Sequence, residues 1–311
     1  MTDAHSPVLD PRLLAATQGL ALTARRLVAG ALAGLHASRR PGLAREFSQY
    51  RAYQPGDEPR HLDWKLFARS DRYFLRESEV DTRVAVSLVL DATASMQHTG
   101  EAVGSPRKFD LARSLAAALA LLAENQGDTA TLHVVADGGV SSVLTGGRRQ
   151  PFRQIVHALA KLDPAGRWPA ESTCLTHALR RAELAGTTAG PGTTARVTVV
   201  LTDGHEPGGE IRAALAPLRA RQHELLFFHF VARDEREFPW RGPVRFEEWE
   251  TGRTLEADAT ALRAAYLAAE QRERAAWARA WDDDRFDYLA LMTDEPLERG
   301  LRSYLRRRAG R

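Results

Sequence analysis

At 311 residues the chain is long enough for one large domain or two modest ones, and its 44% apolar content can fill a sizeable core. Lys and Arg total 43 against 40 Asp and Glu, a formal net charge of +3 that is too balanced for bulk nucleic-acid binding. Cys174 is the one cysteine, which excludes an internal disulfide and a thiolate metal cluster.

No positively charged leader followed by an apolar run opens the chain at Met1–His5, so a cytoplasmic protein is expected. Residues 13–38 read as a helix with Leu20, Leu27 and Leu35 on its apolar side. Arg25 and Arg26 interrupt it at the centre, and it fails the requirement of about 18 clean apolar residues for a membrane span. A dense polar and aromatic stretch follows, with a Pro55-Gly56-Asp57 turn and a short extended piece around Tyr73-Phe74-Leu75.

From Val84 the pattern changes. Val84 to Leu90 is a near-continuous apolar run of strand length, as expected of a strand buried on both faces. Pro106 and Asp110 open a helix carrying Leu111, Leu115, Leu119 and Leu122, and Thr131 to Val135 is the next strand. Helices are predicted through Phe152–Leu159 and around Leu175, Leu179 and Leu184. Val197–Leu201 and Leu225–Val231 are two more buried strands, separated by a helix over Ile211–Arg219. Alternating strands and helices of this length predict an α/β fold with a doubly wound, mostly parallel sheet. Residues 243–256 break the rhythm as a hairpin around Thr251-Gly252, before a helix over about 260–281, a strand at Tyr288–Met292 and a closing helix. The expected division is an N-terminal helix and segment over 1–80, the sheet domain over 81–295, and a terminal helix over 296–311.

Ligands of open parallel sheets bind outside the carboxyl ends of the strands. The residues there are Asp91-Ala92-Thr93-Ala94-Ser95 and Thr202-Asp203-Gly204, with Ser172-Thr173 at the start of a helix. Carboxylates and hydroxyls without His or Cys are hard ligands, suited to Mg²⁺ or Mn²⁺.

Asp91-x-Thr93-x-Ser95 with Thr173 and Asp203 resembles the metal-ion-dependent adhesion site of von Willebrand factor A domains. Thr93 replaces the usual first serine but keeps its hydroxyl, and Glu171-Ser172 stand where the family commonly has two glycines. The resemblance implies a Rossmann-type sheet and an ion held by these five residues. A second likeness covers nearly the whole chain. Glu46-Phe47, Arg51-x-Tyr53-x-Pro55-Gly56-Asp57, Arg60-x-x-Asp63-Trp64 and Thr293-Asp294-Glu295-Pro296-Leu297 resemble domain-of-unknown-function family 58. That resemblance implies a signature segment joined to an A-type domain, and a MoxR-type AAA+ ATPase as candidate partner. Asp57, Arg60, Asp63 and Trp64 either staple the segment onto the sheet or meet a partner.

The expected function is therefore a non-enzymatic, metal-dependent protein-interaction module whose partner offers a Glu or Asp to the ion. The alternative is a Mg²⁺-dependent phosphohydrolase, which also begins with an Asp after a first buried strand. Such an enzyme needs a second carboxylate two residues on, where this chain has Thr93.

Overall fold

The structure is a computed structural model that describes residues 11–36, 50–53, 64–70, 72–76, 83–100, 105–137, 139–144, 151–169, 173–187, 193–205, 209–221, 223–279 and 286–309. The chain opens with α1 (Pro11–His36), followed by β1 (Tyr50–Ala52), α2 (Trp64–Ser70) and β2 (Phe74–Arg76). Next come β3 (Arg83–Asp91), a 3-10 turn at Ala94–Gln97, α3 (Lys108–Asn125), β4 (Thr129–Ala136), β5 (Gly139–Leu144) and α4 (Pro151–Ala160). They lead into α5 (Thr173–Thr187), β6 (Thr193–Thr202), α6 (Glu210–Ala220), β7 (Glu224–Val231) and α7 (Arg233–Glu237). The hairpin is β8 (Pro243–Glu247) and β9 (Thr254–Asp258), and α8 (Ala259–Ala278), β10 (Phe286–Met292) and α9 (Leu297–Ala309) complete the chain.

Six strands form the central sheet in the order β10-β7-β6-β3-β4-β5. Every neighbouring pair is parallel except β4 with β5. Counted along the chain, this is the 3-2-1-4-5-6 order of a doubly wound sheet, with its third strand reversed. The winding changes direction between β3 and β6, the place where such sheets leave a crevice at their carboxyl ends.

Side chains alternate across a strand, so each buried strand feeds two cores. Leu88 and Leu90 of β3, Val199 and Leu201 of β6 and Phe228 and Phe230 of β7 join one core. The intervening Val89, Val200 and Phe227 join the other. The first face is covered by α3, α4, α9 and also α1, whose Leu20, Ala24, Leu27, Val28 and Ala31 recur at helical spacing and are all buried. The second face is covered by α5, α6 and Trp277 of α8. The first helix thus shares the core of the sheet.

Several elements were not expected, among them β1 and the short helix α2 in the polar and aromatic stretch. β5 is an antiparallel edge strand, and α7 is a single turn directly after β7. The hairpin is present and stands apart from the main sheet. Trp281 lies outside the described residues. No helix among the described residues is long and apolar enough to cross a membrane.

Candidate functional site

Asp91 is the last residue of β3, and Asp203 is the residue after β6, so both carboxylates stand at the switch point of the sheet. The loop after β3 is clamped from both sides. Ala92 N donates to Val135 O at 2.8 Å, Ala94 N to Gly166 O at 2.9 Å, and Ala165 N to Ala92 O at 2.9 Å. Gly166 has φ +73°, and a Cβ there would sit 2.6 Å from Asp137 Cα, so only glycine lets this loop come close enough.

Within the clamp, Asp91 Oδ1 accepts from Thr93 N at 2.9 Å and from Thr93 Oγ1 at 2.8 Å. This is the local turn that Asp favours, its side chain bonding the backbone two residues on. Thr202 Oγ1 donates to Asp91 Oδ2 at 2.6 Å. Thr93 Oγ1 and Ser95 Oγ lie 3.0 Å apart, and Ser95 Oγ donates to Asp203 Oδ1 at 3.3 Å. His205 N also donates to Asp203 Oδ1, at 3.2 Å, across a turn in which Gly204 has φ +72°. Asp91, Thr93, Ser95 and Asp203 therefore form one hydrogen-bonded cluster, and all four are buried. Thr173 opens α5 with an exposed side chain, and no hydrogen bond joins it to this cluster among the described residues.

The two carboxylates differ in charge environment. Asp203 Oδ2 accepts from Lys108 Nζ at 3.0 Å. Burial alone would raise the Asp203 pKa, but Lys108 holds it below the ordinary range. Asp91 has no cationic partner among its hydrogen bonds. Burial, and then the charge of Asp203, push it up to about 7 against the hydrogen bonds from Thr202 and Thr93. Lys108 also donates to Glu235 Oε1 at 2.5 Å. Burial opposes its charge, yet Asp203 and Glu235 hold its pKa above the ordinary value.

Neighbouring groups fix this arrangement. Glu235 Oε2 accepts from Ala232 N at 2.9 Å, and His98 Nε2 lies 2.9 Å from Asp234 Oδ2. His229 Nε2 is 2.8 Å from the Asp203 carbonyl oxygen, which can only accept, so that nitrogen carries the proton. Its Nδ1 lies 2.7 Å from the Tyr288 hydroxyl, and burial lowers its pKa.

The donor set fits a hard divalent ion: one uncompensated carboxylate, two hydroxyls beside it and a second carboxylate behind them. Among the described residues, no group of three or more His, Cys, Asp and Glu side chains is arranged to hold a metal, so an ion here would draw on hydroxyl oxygens and water as well. A cavity of about 450 Å³ leads to Ser95 and Asp203 between His205 and the hairpin residues Phe246, Trp249 and Leu255. A second, of about 330 Å³, reaches Asp203 and Lys108 from the side of α8, lined by His229 and Tyr266. The tip of the hairpin is tied across the first mouth by Trp168 N, which donates to Glu250 Oε2 at 3.2 Å.

In the signature segment, Trp64 begins α2 and is 60% exposed, and Phe67 stacks on Tyr73 at 4.4 Å. Asp57, Arg60 and Asp63 lie outside the described residues. Sequence reasoning missed Lys108 and Glu235, and it placed Thr202 at the strand end without giving it a role. Lys108 did leave a signal: it is one of three lysines in an arginine-rich chain, and it stands in the first turn of a helix, where the helix dipole disfavours a cation.

A family model described as "Protein of unknown function DUF58" matches residues 49–276. The uncharacterized protein Rv1480 of Mycobacterium tuberculosis is 30% identical over 290 residues, spanning 92% of this chain and 86% of its own. Among solved structures, BatB from Bacteroides thetaiotaomicron aligns over 73% of this chain and 100% of its own, with TM-score 0.46 and 16% identity. The SpRpn10 VWA domain aligns over 71% and 94%, with TM-score 0.42 and 11% identity. With the family model covering most of the chain and a relative matched along nearly all of it, on a sheet wound as the sequence resemblance implied, this protein belongs to the DUF58 family.

Proposed function

We propose that this chain is a cytoplasmic, non-enzymatic protein-interaction module that grips an acidic side chain of a partner through Mg²⁺ or Mn²⁺. The observation that carries the reading is the clustering of Asp91, Thr93, Ser95 and Asp203 at the switch point of the sheet, with Asp91 lacking a cationic partner. Asp91, Thr93 and Ser95 would hold the ion, with Asp203 acting through a water and Thr173 as a further candidate oxygen from the start of α5. Bound there, the ion supplies positive charge and an exchangeable water position that a partner's Asp or Glu can take.

The chain's own residues prepare that exchange. Thr93 and Thr202 hold the two oxygens of Asp91 in place, and the sheet fixes the spacing of its two strand ends. Trp249 and Leu255, 54% and 58% exposed beside the cavity, offer the aromatic and apolar surface that docking interfaces use. The candidate partner, a MoxR-type AAA+ ATPase, follows from the family resemblance. A phosphohydrolase is the weaker reading. Thr93 stands where that chemistry needs an acid/base carboxylate.

The test is affinity capture on the purified chain, with a candidate MoxR-type ATPase as prey. Retention in Mg²⁺, loss in EDTA and loss with Asp91→Ala are expected. Retention that is equal in all three would make the domain a plain docking surface, and Mg²⁺-dependent phosphatase turnover would favour the enzyme.

A further inference from the structure

We infer that Lys108 is a built-in counter-ion: it holds the site in shape without a metal and keeps affinity for a divalent ion low until a partner carboxylate arrives. This rests on the metal-binding reading above and adds how that site is regulated.

Lys108 is 2% exposed, and its ammonium is held by Asp203 Oδ2 at 3.0 Å and Glu235 Oε1 at 2.5 Å. A buried ammonium is tolerated only when its desolvation is offset by close, well-placed acceptors. Here the offset works against the positive end of α3, so the two carboxylates must supply it. The arrangement is fixed from both ends. Lys108 N donates to His98 O at 3.0 Å, and Glu235 is anchored by Ala232 N at 2.9 Å. The ammonium is a standing part of the site.

Charge then decides what the site does with an ion. Asp203 and Glu235 share one ammonium, which leaves a single negative charge between them, and Asp91 takes its hydrogen bonds from Thr93 and Thr202 instead. That ion would sit against Asp91, Thr93 and Ser95, and Ser95 Oγ is 3.3 Å from the same Asp203 that Lys108 engages. A fixed positive charge is therefore one side chain away from the incoming cation, in surroundings that screen poorly. The lysine replaces the ion in stabilising Asp203 and repels it from Asp91. A partner's carboxylate adds back the negative charge that Lys108 cancels. Ion and partner consequently bind together, and each raises the affinity for the other by the same factor.

The test uses Mn²⁺ alone as probe, titrated into the full chain at pH 8 and followed by the electron paramagnetic resonance of the free ion. Thermal melting in EDTA and in Mn²⁺ is recorded alongside. Lys108→Met should bind Mn²⁺ at least roughly tenfold more tightly than the wild type. It should also melt lower in EDTA and recover more of its stability when Mn²⁺ is added. Glu235→Gln leaves the ammonium less neutralised, so it should weaken Mn²⁺ binding, by roughly threefold or more. A purely structural role for Lys108 would not give opposite signs. Should Lys108→Met fail to fold in EDTA, the Glu235→Gln variant carries the test. Mn²⁺ binding by a folded Lys108→Met that is equal to or weaker than wild type overturns the counter-ion and leaves the metal reading standing. Unchanged binding by Glu235→Gln does the same. An absence of Mn²⁺ binding in wild type and variants alike overturns both.

Discussion

Asp91 is held in a position that favours its neutral form when no ion is present. Its pKa is pushed up to about 7 by burial and by Asp203, whereas in the unfolded chain it ionises in the ordinary carboxylate range. A carboxyl whose folded pKa is raised contributes stability at low pH and loses it as pH rises through the folded value. At pH 8 the metal-free protein therefore carries a cost of at most roughly 4 kcal/mol at this one residue. Asp91→Asn removes the charge and keeps the shape: the amide oxygen can still accept from Thr93, and the amide nitrogen can donate to Thr202. The variant should be more stable than the wild type in EDTA at pH 8, by about 1–2 kcal/mol once the lost charge-assisted hydrogen bonds are deducted. It should gain nothing from Mg²⁺. Chemical denaturation with and without Mg²⁺ checks this, and a less stable Asn variant in EDTA would show that Asp91 is not under electrostatic tension. The residues of this cluster were open to sequence reading unequally. Asp91, Thr93, Ser95 and Asp203 each follow a long apolar run, so the strand that ends before them announces their place. Lys108 and Glu235 belong to the site only through contacts 95 and 127 residues apart in the chain, which no local pattern encodes.

At the scale of elements, the same contrast holds. The buried strands were legible because a strand covered on both faces is an unbroken apolar run. The edge strand β5 was not, because Gly139-Val-Ser-Ser-Val-Leu144 spaces its valines three apart. Val140 packs towards one core and Val143 towards the other, so neither face shows a period of two. The hairpin was legible from its turn, but its anchorage is a property of the folded chain. Phe246 stacks on Phe238 at 5.7 Å and meets Trp240 at 5.9 Å, while Phe238 lies 4.5 Å from Tyr266 of α8. A two-stranded ribbon is marginal alone, so this aromatic cluster is what holds it over the cavity. Phe246→Ala should therefore release the ribbon without unfolding the sheet. In hydrogen exchange, amides of 243–258 should lose protection while those of β3 and β6 keep theirs. Loss of protection in both places would mean that the hairpin is part of the main cooperative unit.

For the whole molecule, the buried titratable groups make a joint statement about acidity. His133 is fully buried in β4, with Nδ1 2.8 Å from Ser142 Oγ, and burial lowers its pKa to about 4. A histidine depressed in this way must stay neutral in the fold but is free to protonate when unfolded. Its contribution to stability therefore rises with pH between about 4 and its ordinary value of 6.5. His229, also lowered by burial, acts in the same direction. Asp91 acts oppositely across nearly the same interval, because the fold takes up its proton until about pH 7. Asp203, held low by Lys108, changes only at more acidic pH. Asp91 thus opposes the two histidines, and in metal-free wild type the unfolding free energy should rise less between pH 5 and 7 than the histidines alone would dictate. A bound divalent ion keeps Asp91 ionised in the fold and removes its opposing slope. In saturating Mg²⁺, stability should then climb with pH across that interval under the histidines alone, by roughly 1–3 kcal/mol. Urea unfolding at several pH values, in Mg²⁺ and in EDTA, reads both slopes directly. Parallel curves in the two conditions would mean that no ion engages Asp91. A climb in Mg²⁺ that Asp91→Asn reproduces in EDTA would trace the difference between the two conditions to the proton on that one carboxylate.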